Sequence, residues 1–158
     1  MDLYHGSNLA VERPRLLPHQ RALDFGRGFY VTSDLRQAER WARSVARRRG
    51  GSPTVCTYQL SDESWDELDV LRFEEPDGAW LDFVVGNRKE TLGAHGYDIV
   101  AGPVANDTTL TVINDYMAGT FPREIAIQLL LPQKLTDQYA FCSERSLACL
   151  TFSGANSL

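Results

Sequence analysis

The sequence predicts an α+β domain, with strands at both ends of the chain and helices between them. Three patterns carry that expectation. Short runs rich in β-branched and aromatic residues open and close the chain, a segment over 34–49 repeats its apolar residues at three- and four-residue intervals, and Gly- or Pro-containing breaks separate such runs. The 158 residues, 43% of them hydrophobic, suffice for one core. A single domain over 1–152 is therefore expected, followed by a frayed polar tail over 153–158.

From the N-terminus, Asp2-Leu3-Tyr4-His5-Gly6-Ser7 reads as a short strand, and 9–23 as an irregular, Pro-containing surface loop. Gly26 and Gly28 flank Arg27 ahead of Phe29-Tyr30-Val31, the pattern of a tight turn that delivers a strand. Thr32 or Ser33 then offers a helix N-cap. In the helix over 34–49, Leu35, Ala38, Trp41 or Ala42, and Val45 form the apolar stripe, Arg36, Arg40, Arg43 and Arg47 take other faces, and Gly50-Gly51-Ser52-Pro53 stops it.

Residues 55–60 alternate and suit a strand, whereas the acidic stretch over 61–77 matches no single template. A short helix leading into a loop is expected over 80–88, and a buried strand, closed by Gly102-Pro103, over 97–104. Two more helices follow over 110–118 and 122–131, the second with Pro122 in its first turn. Strands over 139–142 and 148–152 complete the order. No repeat or low-complexity linker interrupts it.

Cys56, Cys142 and Cys149 are odd in number and widely spaced, without the close pairs of zinc or redox sites. They read as packing residues in a reduced, cytoplasmic setting, and no metal is expected. No run approaches the roughly 18 apolar residues of a membrane helix, so no membrane association is expected. The net charge of −5 conceals a division, since residues 1–50 hold ten Arg and five acids while 62–82 hold nine acids and Arg72. An Arg-rich segment can attract the phosphates of a dinucleotide or of nucleic acid, but it is ordinarily solvated. Solvation is the reading adopted for most of it, with Arg47-Arg48-Arg49 a helix end favoured by the macrodipole.

Three short motifs carry chemistry. Leu3-Tyr4-His5-Gly6-Ser7 is a strand ending in a His-Gly pair and a hydroxyl residue. Phe25-Gly26-Arg27-Gly28-Phe29-Tyr30 begins twenty residues after His5, and Trp41 lies eleven residues beyond Tyr30. Near the C-terminus stands Asp137-Gln138-Tyr139-Ala140-Phe141. In order and spacing the set resembles the three signature strands of the poly- and mono-ADP-ribosyltransferase superfamily, and it is most similar to small bacterial members. The resemblance implies an ADP-ribosyltransferase-like α+β fold: two small antiparallel-rich sheets form a split, the 34–49 helix crosses one side, and NAD⁺ binds in the cleft between the sheets.

Each position then has a chemical reason. Breaking the bond between nicotinamide and ribose creates an oxocarbenium-like centre, so a protein must grip the nicotinamide, hold the ribose and leave one face open to a nucleophile. By resemblance, His5, Tyr30 and Gln138 are the catalytic set. Gly6 would present its backbone to the carboxamide with Ser7 adding a hydrogen bond, His5 would meet the adenosine ribose, and Tyr30 and Trp41 would stack on the nicotinamide ring. Gly28 with Gly26 would let the loop pass near the ligand, and Arg27 would face its diphosphate. Gln138 departs from the Glu common in transferring members. It can accept from a ribose hydroxyl but carries no charge and cannot act as a base, a role worth typically 10²–10⁴ in rate. Asp107 is the first candidate for a substitute carboxylate and Glu144 the second.

Plainer readings stand beside these. A lone strand-end histidine is ordinarily satisfied by a backbone carbonyl, Tyr30 and Trp41 suit a core, and Gly26 and Gly28 suit a hairpin turn. Gln138 suits a polar strand position, Asp107 a turn or cap, and Arg88 a loop salt bridge, with contact to phosphate or acceptor as its alternative. The expected function is NAD-dependent mono-ADP-ribosyl transfer to a protein or nucleic-acid acceptor, with NAD⁺ as co-substrate, in a bacterial toxin or effector that a partner antitoxin neutralises. The alternatives are an NAD⁺ glycohydrolase and a non-catalytic NAD⁺ or ADP-ribose binding module.

Overall fold

The structure, a computed structural model, describes residues 1–18, 20–61 and 65–158, with only the backbone of Asp107. Its elements run β1 (Asp2–Ser7), β2 (Phe29–Val31), α1 (Leu35–Arg49), β3 (Thr54–Leu60), β4 (Val70–Arg72), α2 (Gly78–Arg88), β5 (Ile99–Pro103), α3 (Asp107–Met117), α4 (Arg123–Leu130), β6 (Asp137–Phe141), α5 (Glu144–Leu147) and β7 (Leu150–Ser157). The chain is α+β. Two sheets form, one in the order β1-β3-β7 and one in the order β2-β6-β5-β4. All pairings are antiparallel except β4 with β5, which are parallel and joined through α2, the kind of crossover a parallel pair requires.

Side-chain alternation sorts the residues into layers. On β1 and β3, Tyr4 and Val55 face Ala38 and Ala42 of α1. Leu3, Cys56, Tyr58 and Leu60 face the other way, toward Phe29, Val31, Ile99 and Phe141 of the second sheet. That sheet's far face carries Tyr30, Val100 and Ala140 against Trp80, Val84, Ile113 and Leu130 of α2, α3 and α4. The order of layers is thus α1, sheet, sheet, helices.

Four local expectations are corrected. The N-cap of α1 is Asp34, whose carboxylate accepts from the Gln37 N–H at 2.8 Å, rather than Thr32 or Ser33. Both hydroxyls are engaged elsewhere: each donates to the Asp137 carboxylate, which also accepts from the Ser33 N–H at 2.8 Å. Pro122 is the N-cap of α4 and not part of its first turn. The unassigned acidic stretch contains β4, with residues 62–64 outside the described residues. Residues 153–157 are not a frayed tail, because β7 continues through Ser157 and pairs Gly154, Ala155, Asn156 and Ser157 with Thr57, Cys56, Val55 and Thr54. Among the described residues no helix is long and apolar enough to cross a membrane.

Candidate functional site

Besides packing face to face, the two sheets are joined by one backbone bridge among the described residues. Tyr4 and Thr32 exchange both backbone hydrogen bonds, at 2.8 and 2.9 Å, and this bridge is the whole of the backbone pairing between β1 and the β2 segment among the described residues. Beside it opens a cleft of about 880 Å³. Its lining brings together His5, Gly6, Ser7, Tyr30, Trp41 and Gln138, and Gly28 and Arg88 also reach it.

His5 projects from β1 and stacks on Phe29, ring centroids 4.3 Å apart. Its Nδ1 lies 2.7 Å from the Tyr30 carbonyl oxygen. Since a carbonyl only accepts, Nδ1 carries the proton and the neutral ring keeps Nε2 as an acceptor. Burial pushes the imidazole pKa below its ordinary value, and the bond to Tyr30 opposes this only in part. The neutral form is therefore the resident one at pH 7.

Gly6 has a packing reason for its missing side chain: a Cβ there would lie 2.1 Å from the Ala38 carbonyl oxygen and 2.7 Å from the Ala42 nitrogen. Helix α1 can settle on β1, and bring Trp41 of its second turn to the cleft, only if position 6 is bare. Ser7 donates from Oγ to Asn8 at 3.4 Å and lines the same wall.

Tyr30 is nearly buried, and its hydroxyl is committed. It donates to the Gly26 carbonyl at 2.5 Å and accepts from the Phe25 N–H at 3.0 Å, fastening the turn ahead of β2. Gly26 within that turn has φ of +92°, a left-handed conformation that favours glycine. Desolvation raises the phenol pKa well above its ordinary value. Tyr30 can offer a ring edge or face to a ligand, but its oxygen is not free to move a proton.

Gln138 is 2% exposed, and its Nε2 has no hydrogen-bond partner among the described residues. It lines the cleft from β6, on the face that also carries Ala140. A buried amide left unpaired costs about 1–3 kcal/mol, so Gln138 is the lining residue whose presence packing alone explains least.

The other expected residues fall elsewhere. Arg27 is exposed, 4.0 Å from Glu90, and lines a separate cavity of about 520 Å³ with Glu90, His95 and Asp98. Glu144 is the exposed first residue of α5 and is not part of the cleft. Asp107 begins α3, whose neighbours Ala105 and Leu110 border the cleft, but its side chain lies outside the described residues. Arg88 forms the expected salt bridge, its Nε 2.6 Å from Asp24 with both side chains largely covered, but from the last residue of α2 and not from a loop. Cys142 lies in the smaller cavity, its thiol pushed up to about 12 by burial, which makes it a poor nucleophile. The described residues contain no cluster able to hold a metal ion.

Sequence reasoning passed over two features of the cleft. Gln20 donates to the Gly28 carbonyl at 2.8 Å and pins the loop. Arg13, Arg15, Arg48 and Arg49 line the opening, a position that only the unusual number of arginines in the first fifty residues hinted at.

A family model described as "Protein of unknown function (DUF3990)" matches residues 1–152. The chain belongs to this family. No curated protein and no solved structure matches the chain. The DUF3990 match spans every cleft residue and ends within β7.

Proposed function

We propose that the chain binds NAD⁺ in the cleft beside the bridge that joins its sheets and transfers the ADP-ribose to one site on a macromolecular acceptor, as a mono-ADP-ribosyltransferase of the toxin or effector kind. The observation that carries this reading is the buried, unpaired amide of Gln138 in the same cleft as His5, Gly6, Tyr30 and Trp41. The gathering of all three motifs around one opening supports the fold that the resemblance implies. In the reaction the bond between ribose C1 and the nicotinamide nitrogen breaks, and its electron pair leaves with nicotinamide. A lone pair of the acceptor forms the new bond at C1, and the acceptor's proton passes to water.

The residues divide these tasks. Nε2 of His5 accepts from a ribose hydroxyl, Gln138 hydrogen-bonds the second ribose, and Tyr30 and Trp41 flank the nicotinamide ring. The amide at Gln138 and the engaged hydroxyl of Tyr30 together favour one second reading, an NAD⁺-binding module without transfer, because neither group can take a proton.

Incubation with radiolabelled NAD⁺ and cell lysate tests the reading, with His5→Ala and Tyr30→Ala beside the wild type. Transfer predicts nicotinamide release and a labelled acceptor that both substitutions abolish. Loss of NAD⁺ without any labelled acceptor would indicate hydrolysis, and binding without nicotinamide release the second reading. Tight NAD⁺ binding that survives both substitutions refutes the site.

A further inference from the structure

We propose that the acceptor is a single-stranded nucleic acid, held through its phosphates by Arg13, Arg15, Arg48 and Arg49 along the opening of the cleft. This rests on the NAD⁺ reading of the same cleft. The lining holds five arginines and two acids, Glu12 and Asp24, on a chain whose net charge is −5. Arg88 is neutralised by Asp24. The other four are exposed and have no acidic partner among the described residues. The macrodipole accounts for Arg48 and Arg49 at the end of α1, but not for Arg13 and Arg15, which stand on a loop. The Asn8 side chain donates to the Gly50 carbonyl at 3.0 Å, fastening that loop to the end of α1 and setting both arginine pairs around one opening.

The number and place of these groups point past NAD⁺. The diphosphate of one dinucleotide carries two negative charges, which four guanidinium groups without an acidic partner outnumber. The arginines are exposed, whereas Tyr30 and Gln138 are buried, so charge surrounds the entrance and not the floor. Beside the arginines, Leu9, Leu17 and Leu23 line the cleft while 57%, 59% and 47% exposed, and Trp41 offers a flat face. Cationic forks alternating with apolar surface suit a strand with splayed bases, whose phosphates are neutralised while a base enters the cleft. A base stacked in a duplex would first have to be unpaired and unstacked to enter the cleft, a cost that a single strand spares. A base nitrogen supplies the electron pair to ribose C1 of NAD⁺, neutral nicotinamide leaves with the pair of the broken bond, and the base's proton passes to water.

Fluorescence anisotropy of a labelled mixed-sequence oligonucleotide of roughly 12 nucleotides, with NAD⁺ calorimetry and transfer from radiolabelled NAD⁺ beside it, tests the proposal. Four phosphate contacts predict a log–log salt slope of about −2.8, hence roughly fifty-fold weaker binding between 50 and 200 mM salt. Arg13→Ala/Arg15→Ala and Arg48→Ala/Arg49→Ala should each bring the slope to about −1.4, leaving roughly sevenfold over the same range. NAD⁺ affinity should stay within about twofold, since K responds only to phosphates those arginines meet. Label should enter the oligonucleotide. NAD⁺ binding without oligonucleotide binding overturns the proposal and leaves the NAD⁺ reading standing. Arginine variants that lose NAD⁺ affinity assign these groups to the diphosphate instead, and label found only on polypeptide makes the acceptor a protein; either result overturns it. Oligonucleotide binding without NAD⁺ binding overturns the underlying reading and with it the acceptor role.

Discussion

Gln138 occupies a strand position where a chain without a ligand would be better served by an aliphatic side chain. Its amide is buried and unpaired, so Gln138→Leu should keep or raise the melting temperature while weakening NAD⁺ binding at least about tenfold. Thermal unfolding and calorimetry of the same variant separate the two effects, and a structural role would move them together. Gln138→Glu should accelerate transfer, and the gain should grow with pH, because burial raises the new carboxyl's pKa and only its ionised form supplies charge. No change or a fall would remove Gln138 from the ribose. For His5 the sign follows from burial. The folded-state pKa lies below the ordinary 6.5, so the unfolded chain takes up the proton first. Its contribution is complete above the ordinary value and is lost as pH falls toward the folded pKa. Urea midpoints between about pH 7.5 and 5.5 should fall less in His5→Gln than in the wild type. These residues were legible from motif spacing. What each atom bonds was not, because the commitment of the Tyr30 hydroxyl to Gly26 and Phe25 depends on how the turn closes.

Among the elements, the turn before β2 and the strand β7 have testable consequences. Tyr30→Phe leaves the buried Phe25 N–H without its partner and takes one of two donors from the Gly26 carbonyl, which keeps the Leu23 N–H at 3.3 Å; this should cost about 1–3 kcal/mol by denaturant titration while the ring's place in the cleft is kept. Deleting residues 153–158 strips the partners of Thr54, Val55, Cys56 and Thr57 on the central strand of its sheet. A loss of about 2 kcal/mol, or roughly 4–8 °C in melting temperature, is expected; an unchanged value would restore the frayed tail. The amphipathic α1 was readable because one face meets a sheet and the other water. The end of β7 was not, since an exposed edge strand needs no apolar residues to form. Nor was β4, whose three residues are held as a strand by parallel pairing with β5. The helix cap moved from Thr32 or Ser33 to Asp34 because Asp137, a hundred residues away in sequence, draws both hydroxyls.

Across the whole molecule, the layered order of α1, two sheets and three helices leaves an opening beside the Tyr4–Thr32 bridge, the one backbone link between the sheets among the described residues. Sequence periodicity indicated α+β and the order of most elements. It could not place the split, which depends on which strands share a sheet. Nor could it show that two distant arginine pairs border one entrance, while the described acids of 65–82 lie outside the cleft. The central claim is that this opening is an NAD⁺ site built on Gln138. Calorimetric titration of NAD⁺ into wild type and Gln138→Leu tests it most directly. Saturable binding to the wild type, at least about tenfold weaker in an equally stable variant, is the predicted result; equal binding by both proteins, or none by the wild type, would contradict the claim.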